Sequence, residues 1–192
     1  MQLFYIENPE KEITLSNEES KHAIKVLRKK EGDILNFIDG KGGCYKAEIT
    51  ISDKKKCRLQ IISSEQKEKQ HKYHLHIAIA PTKNMQRFEW FLEKATEIGV
   101  DEITPIICDH SERKIIKKDR CKKILLSATK QSLKHHLPIL NETISLNNFL
   151  KTNIKGARYI AHCNEGKKLE LRNKRKEKRT LILIGPEGDF SN

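Results

Sequence analysis

A short glycine-rich segment near the end of the sequence has residue types that bind small ligands. Gly185-Pro186-Glu187-Gly188 follows directly on an apolar run at residues 181–184. A glycine-rich turn after a parallel strand is where α/β proteins bind ligands, and glycine lets a ligand approach the backbone closely. Taken alone, the tetrapeptide favours a plain turn. It lacks the Gly-Lys-Ser/Thr ending of a P-loop, and its Pro-Glu centre suits the phosphate clamp of a KH loop poorly.

Glu187 is the only carboxylate inside this loop, and two interpretations of it stay open. It either orients a ligand or the loop itself, or it is an N-terminal acid that stabilises the dipole of a following helix. Ser191 is placed to cap such a helix, which the sequence does not contain. We therefore expect the chain to be cut short.

The charge balance indicates a polyanionic partner. The chain has 38 lysines and arginines against 26 acidic residues, a net charge of +12, and residues 71–192 carry +10 of it. An excess of this size is typical of nucleic-acid-binding proteins, although a basic proteome would raise the charge of every protein alike. The most basic stretch, residues 166–179, is interpreted either as an RNA-contacting loop or as a solvated surface.

Several other classes of protein are excluded. No apolar run approaches the length of a membrane-spanning helix, and the first residues lack the features of a secretion signal. The five cysteines are widely spaced, so neither a disulfide framework nor a zinc site is indicated, and we expect reduced thiols in a cytoplasmic protein. His74 and His76 alternate on one predicted strand without a third ligand, so no metal site is expected.

The elements that precede residue 65 predict a small β-rich domain. Strands are predicted at residues 3–6, 34–39, 45–51 and 57–63. Short strands joined by tight turns suggest a small barrel or a curled sheet. Ser16 and Glu19 form a capping box, which predicts a helix to about Leu27 with Ala23 and Val26 on or near its buried side. Residues 65–72 contain no apolar side chain, which indicates a domain linker.

Beyond the linker the pattern predicts a parallel α/β sheet. Strands are predicted at residues 74–80, 102–107, 157–162 and 180–184, and helices at residues 84–98 and 118–134. Strands that alternate with helices of this length are typical of such sheets. The first helix carries Phe88, Leu92 and Ile98 on one face, and Gly99 stands where a helix C-terminal glycine belongs. Trp90 is expected to pack rather than to stack on a base.

Several short motifs stand in a characteristic order along the chain. They are His22-x-x-x-Val26-Leu27-Arg28, Gly32-Asp33, Asp39-Gly40, Lys83…Arg87-x-Glu89, Lys94-Ala95-Thr96-Glu97-Ile98-Gly99-Val100, Pro105, Ser111-Glu112-Arg113, Gln131-Ser132, Pro138 and Leu183-Ile184-Gly185-Pro186-Glu187-Gly188. With this order and spacing, the chain resembles the RsmE family of bacterial 16S rRNA uracil-N3 methyltransferases, of the SPOUT superfamily, over essentially its whole length.

The resemblance implies a PUA-like β-barrel that binds RNA over residues 1–68 and a SPOUT methyltransferase domain over residues 73–192. It implies S-adenosylmethionine bound in a trefoil knot, a homodimer formed through the knotted domain, and methylation of N3 of a specific uridine in the 16S rRNA of the small ribosomal subunit. The family's second cofactor loop is absent from this sequence, so we expect an incomplete knot. Asp189 stands where many members have glycine, and Lys134 near where many have arginine.

The resemblance also implies site residues, although no general base. The expected cofactor-binding residues are His162, Ile184, Gly185, Pro186, Glu187 and Gly188. The expected RNA-binding residues are His22, Arg28, Lys83, Arg87, Lys94 and Arg113. Two alternatives stay open, because Arg28 also suits a surface position near a helix end, and Lys94 could pair with acidic residues on its own helix. The rival function is a non-catalytic RNA-binding protein whose α/β part is a scaffold.

Overall fold

The chain forms two compact units in the computed structural model, which describes residues 2–163, 165, 168, 170–171 and 177–191. The first unit comprises the chain up to Gln70 together with Thr129–Leu137. The second comprises His71–Ala128 together with the chain from Pro138 onward. More than half of the basic stretch at residues 166–179, for which RNA contact was one interpretation, lies outside the described residues.

A five-stranded sheet is the basis of the first unit. Its strands are β1 (Leu3–Tyr5), β2 (Glu12–Thr14), β3 (Ile34–Ile38), β4 (Gly43–Ile51) and β5 (Arg58–Gln66). Their order is β1-β3-β4-β5-β2, in which only the β1–β3 pair is parallel. The predicted β-rich domain is confirmed. The pattern missed β2, which is only three residues long, and β5 extends into the stretch predicted as linker.

One face of this sheet carries the core of the first unit. Along β4 the buried Ala47 and Ile49 alternate with the exposed Glu48, the period-two pattern of a strand with one apolar face. Phe37 and Leu59, each 1% exposed, extend the same cluster onto β3 and β5. Burying aromatic and aliphatic side chains in this way is the dominant favourable contribution to folding.

The helix of the first unit begins as predicted and then widens. Ser16 Oγ accepts the Glu19 N–H at 3.2 Å, and α1 spans Asn17–Lys21. A π-helical turn, His22–Val26, follows it. Because this turn is wider than an α-helical turn, it rotates the side chains away from their predicted positions. Val26 is consequently 65% exposed, so its predicted place on the buried side is wrong.

A distant segment, Thr129–Leu137, belongs to the first unit because a glycine turn holds it. The Gly42 N–H donates to the His135 carbonyl at 3.0 Å, and the Leu137 N–H donates to the Gly40 carbonyl at 2.8 Å. Gly42 has a φ of +101°, and a Cβ there would lie 2.5 Å from the Lys67 carbonyl oxygen, so glycine is required. Sequence position alone puts this segment within the second domain, since it is remote from the turn along the chain.

The second unit is a parallel α/β sheet, as the sequence predicts. Its strands are β6 (His74–Ile79), β7 (Glu102–Ile107), β8 (Ile139–Leu140), β9 (Ile144–Ser145), β10 (Ala157–Ala161) and β11 (Arg179–Ile184). The helices of this part of the chain are α2 (Met85–Ile98), α3 (Lys118–Gln131) and α4 (Leu146–Leu150). The strand order is β10-β11-β6-β7-β8, with β9 paired to β7, and every pair is parallel. β8, β9 and α4 are too short for periodicity to reveal.

Helix α2 has the predicted ends but a narrower buried face. Gly99 ends it with a φ of 105°, the left-handed conformation that favours glycine. Phe88 and Leu92 are buried, whereas Ile98, at the margin of this face in the last turn, is 73% exposed. Trp90 lies about 200° around the helix from Phe88 and is 63% exposed, so its predicted packing is wrong. None of the described helices combines the length and apolar character needed to cross a bilayer.

A buried histidine on β6 faces polar side chains of β7. His76 is 6% exposed, and its Nε2 lies 2.7 Å from Thr104 Oγ1 and 3.8 Å from a Glu102 carboxylate oxygen. Burial lowers the pKa of His76 below its usual 6.5, against the opposing attraction of Glu102 and with smaller lowering effects from His74 and Arg179.

We expect the free energy of unfolding to fall as the pH drops below 6.5, because the unfolded chain binds a proton at His76 where the folded protein keeps it neutral. This loss starts at the unfolded pKa and levels off below the folded pKa. Urea unfolding on both sides of that pH measures it, and His76→Gln should flatten the dependence. The exposed His110, replaced by glutamine, is the matched control. If the free energy of unfolding depends equally on pH in wild type and in His76→Gln, His76 is not the group responsible.

Candidate active site

Four parallel strands of the second unit end at one edge of the sheet. Ile79 at the end of β6 pairs with Ile184 at the end of β11, which pairs with Ala161 at the end of β10. β7 runs parallel on the other side of β6. The loops that follow these strands meet at this edge, which we name the carboxyl edge. Open α/β sheets bind their ligands at such an edge.

Asp189 fixes the loop after β11 as a tight turn. Its N–H donates to the Pro186 carbonyl at 2.9 Å, and its φ is +59°, a conformation that glycine adopts more readily. Its carboxylate accepts the Phe190 N–H at 2.8 Å and the Cys163 N–H at 2.6 Å. These bonds offset the backbone strain at a position where the family resemblance leads us to expect glycine. They also tie the loop to the residues after β10.

The two glycines of this loop lie against aromatic rings of the chain itself. A Cβ at Gly185 would lie 3.0 Å from the Phe190 ring, and a Cβ at Gly188 would lie 3.2 Å from His110 Cβ. His110 follows β7, and its Nδ1–H donates to the Gly188 carbonyl at 2.9 Å. Because a carbonyl can only accept, this contact assigns the proton of the neutral ring to Nδ1. The backbone at Gly188 is therefore held from one side by His110.

Glu187 connects the loop to the residues after β6. Its Oε1 accepts the Lys83 N–H at 3.0 Å. Arg113 binds the Lys83 carbonyl with Nε at 3.1 Å and Nη2 at 2.9 Å. The Lys83 backbone is thus held on both sides, by a carboxylate and by a guanidinium. Of the two interpretations of Glu187, its observed contact favours the one in which it orients the loop.

Lys83 presents its ammonium group at the carboxyl edge. Its Nζ lies 2.7 Å from a Glu112 carboxylate oxygen, in a pair whose side chains are 73% and 55% exposed. The hydrogen bond to Glu112 raises the pKa of Lys83 above its usual value, so the group stays charged. An ion pair this exposed contributes little to stability. The ammonium can therefore exchange Glu112 for an external anion at small cost.

His162, directly after β10, has an unsatisfied ring nitrogen. Its Nδ1 is buried and is the single buried side-chain nitrogen or oxygen without a hydrogen-bond partner in the described part of the chain. Buried polar atoms are normally paired, so such an atom needs an explanation. A polar ligand at the carboxyl edge would supply the missing partner.

The other predicted RNA-binding residues are spread over both units. In the first unit, His22 Nε2 lies 2.5 Å from Gln2 Nε2, and Arg28 is exposed after the π-helical turn with a φ of 55°. On α2, Arg87 is exposed in the first turn. Lys94 bonds Glu93 at 2.8 Å and Glu97 at 3.0 Å, which is the alternative that the sequence left open. Of these residues, Lys83 and Arg113 are the two that contact each other at the carboxyl edge.

Contacts between the residues after β7 and the loop after β11 were not predicted from the sequence. His110 bonds Gly188, and Asp109 accepts a hydrogen bond from the Ser191 hydroxyl at 2.6 Å. One available signal was overlooked. Asp109 and His110 follow the end of a predicted parallel strand, and polar residues in that position converge with those after the neighbouring strands.

Comparisons with known proteins agree with this architecture. Residues 69–192 match the RNA methyltransferase domain family, and residues 15–62 match the RNA methyltransferase PUA domain. The ribosomal RNA small subunit methyltransferase E of Rickettsia conorii is 29% identical over 187 residues, which cover 94% of this chain and 74% of that protein.

Solved structures give the same result. The crystal structure of a probable rRNA-methyltransferase from Porphyromonas gingivalis matches with a TM-score of 0.91 at 39% identity, covering 100% of this chain and 82% of that one. A Legionella pneumophila structure in complex with S-adenosylmethionine matches with a TM-score of 0.86 at 26% identity, covering 99% of this chain and 81% of that one. The resemblance drawn from the motifs is confirmed: the chain belongs to the RsmE family of RNA methyltransferases, with a PUA-like domain followed by an α/β methyltransferase domain.

Proposed function

We propose that this protein methylates N3 of one specific uridine in the 16S rRNA of the small ribosomal subunit. It is an RNA methyltransferase by family, and its cofactor is S-adenosylmethionine, the molecule bound in the Legionella structure. The observation that carries the proposal is that the residues after β6, β7 and β10 all bond the loop after β11, at Glu187, Gly188 and Asp189 respectively. A scaffold has no need of such a loop, which counts against a non-catalytic RNA-binding protein.

The residues at the carboxyl edge suit this cofactor. When bound, S-adenosylmethionine supplies an electrophilic methyl group on a sulfonium sulfur. Ile184 to Gly188 would bind it through backbone N–H and carbonyl groups, since glycine allows the tight turn in which Phe190 and His110 pack against the loop. His162 would offer its unpartnered Nδ1 to a polar group of the ligand. Glu187 holds the loop against Lys83 and so keeps this backbone in place.

N3 of uracil carries a proton that must leave when the methyl group is transferred. We assign its acceptance to His110, an exposed residue at the carboxyl edge. Since Nδ1–H is donated to Gly188, the lone pair of the neutral ring is on Nε2. Nε2 would take the N3 proton, N3 would form the new bond to the methyl carbon, and the electrons of the broken carbon–sulfur bond would stay on sulfur. A neutral imidazole is a suitable general base for such a step.

Basic residues at this edge and in the first unit would bind the RNA backbone. Lys83 and Arg87 are exposed and suited to phosphates, whereas Arg113 holds the Lys83 backbone and acts as a positioning residue. Arg28 and His22 would contribute from the first unit. Lys94 is the weakest of these proposals, because two carboxylates already engage it. We further propose a cytoplasmic homodimer that acts on ribosomal RNA.

Methyl transfer to purified RNA tests the proposal. The protein is incubated with S-adenosylmethionine that carries an isotope-labelled methyl group, and with either small ribosomal subunits or naked 16S rRNA. Mass spectrometry of the digested RNA should find the label in 3-methyluridine. Large-subunit rRNA is the control and should stay unlabelled. RNA binding without any labelled nucleoside would support the non-catalytic alternative, and label on another base or atom would refute the proposed target.

A further inference from the structure

A cavity of about 350 Å³ opens on the first unit, among residues that the active site does not use. Its volume is within the range of about 300–1,000 Å³ that is usual for small-ligand sites. Strands β1, β3, β4 and β5 supply most of its walls, and His135 of the Thr129–Leu137 segment completes them. It is lined by both apolar and polar side chains, as ligand sites are.

The strand register brings one row of cavity residues to the same face of the sheet. Leu3 pairs with Asn36, Asn36 with Lys46, and Lys46 with Ser63. Directly paired residues on neighbouring strands point to the same side. This face is opposite to the core, since Phe37, next to Asn36, belongs to the core cluster. Leu3, only 5% exposed, forms an apolar floor of the cavity beside these polar groups.

The polar side chains of this row are free to bind a ligand. Within the described residues, the side chains of Asn36, Lys46 and Ser63 make no hydrogen bond or ion pair to the rest of the chain. Asn36 is half-buried, and its amide offers both a donor and an acceptor. Lys46 is exposed and contributes a positive charge. At the mouth, Lys67 pairs with Glu65, and the two charges offset each other. The cavity thus has positive charge in excess.

His135 is held in the cavity wall by the glycine turn. Its carbonyl accepts the Gly42 N–H at 3.0 Å, and its side chain is half-buried. This backbone bond defines the position of the wall independently of any ligand. Because the His135 ring and the apolar Leu3 side chain both border the cavity, they can cover the faces of a flat aromatic ligand.

We propose that this cavity binds one unstacked nucleotide of single-stranded RNA. The base would lie over Leu3 and beside His135, the Asn36 amide would bond its polar edge, and Lys46 would meet the phosphate. Single-stranded RNA is recognised in this manner, by base stacking, by amides on base edges and by cations on the backbone. The inference rests on the proposed function, since it adds a second contact to the RNA substrate of the methyltransferase.

Fluorescence anisotropy with a short single-stranded RNA tests the proposal. Asn36→Leu keeps the size of the side chain and removes its amide, and Lys46→Gln removes the charge. Lys54→Gln is the matched control, because Lys54 is exposed on the same unit outside the cavity. We expect about a tenfold loss of affinity for Asn36→Leu, as for the loss of one hydrogen bond to a base edge. Lys54→Gln should bind as wild type does, apart from the general effect of one charge.

An abasic substitution scanned along the same RNA identifies the base. Wild type should lose affinity at one position, and in Asn36→Leu this loss should be about tenfold smaller, because only the contacts to Leu3 and His135 remain. Wild-type affinity in Asn36→Leu, or equal effects of Lys46→Gln and Lys54→Gln, would overturn the proposal. Methyl transfer by the wild type is measured in parallel. If transfer occurs while Asn36→Leu binds normally, this cavity is excluded and the proposed function stands. If transfer is absent while the abasic effect persists, the cavity binds RNA and the proposed methyltransferase function fails.

Discussion

Replacing Gly188 with valine should lower the affinity for S-adenosylmethionine by at least about a hundredfold, or about 2.7 kcal/mol. A Cβ at this position would lie 3.2 Å from His110 Cβ, and valine adds two further methyl groups on a stiff side chain. The loop would have to move away from His110, which would displace the backbone that we propose binds the cofactor. Isothermal titration calorimetry measures the affinity, and an unchanged unfolding midpoint shows that the protein still folds.

Two further variants separate the contact with His110 from the contact with the ligand. The three atoms nearest to a Cβ at Gly188 all belong to His110. Gly188→Ala should therefore lose less affinity than valine does, and His110→Ala in the same chain should restore part of the loss by making room. The valine variant should stay deficient even with His110→Ala, because its methyl groups reach further. Cofactor binding at the wild-type level in Gly188→Val would exclude this loop from the cofactor site.

The elements that position the site could be predicted from local patterns. Apolar runs of strand length separated by amphipathic segments predict β6, β7, β10 and β11, and a parallel sheet necessarily brings their carboxyl ends together. Two helix ends could be predicted from single residues. Ser16 accepts the Glu19 N–H at the start of α1, and Gly99 has the left-handed backbone at the end of α2. These features depend on neighbours within a few positions, which is the range over which a sequence pattern carries information.

Features that depend on distant contacts could not be predicted. The Thr129–Leu137 segment belongs with the first unit because of backbone bonds to a glycine turn far away in sequence. Val26 is exposed because a π-helical turn changes the helical phase, and the residue types give no signal of that turn. Likewise, the tolerance for Asp189 at a left-handed position derives from the carboxylate bond to Cys163. Each of these results from packing between elements rather than from local preference.

The role of His110 is the part of the mechanism with the largest expected effect on rate. Its Nδ1–H bond to Gly188 does two things, since it holds the loop and leaves Nε2 as the basic nitrogen. Asparagine can reproduce the first of these, because its amide N–H can donate to the same carbonyl, but it has no basic nitrogen. We therefore expect His110→Asn to keep the affinity for S-adenosylmethionine and to lower the rate of methyl transfer by about 10²–10⁴-fold.

Single-turnover methyl transfer at saturating cofactor and RNA measures this rate, with cofactor affinity and the unfolding midpoint determined on the same samples. Ser191→Ala is the matched control, because it removes a hydrogen bond to Asp109 at the same edge without touching His110. A residue that only supports the loop would change affinity and rate together when it is replaced. A general base changes the rate alone. If His110→Asn transfers the methyl group as fast as Ser191→Ala does, the N3 proton has another acceptor, and His110 is then a positioning residue for Gly188.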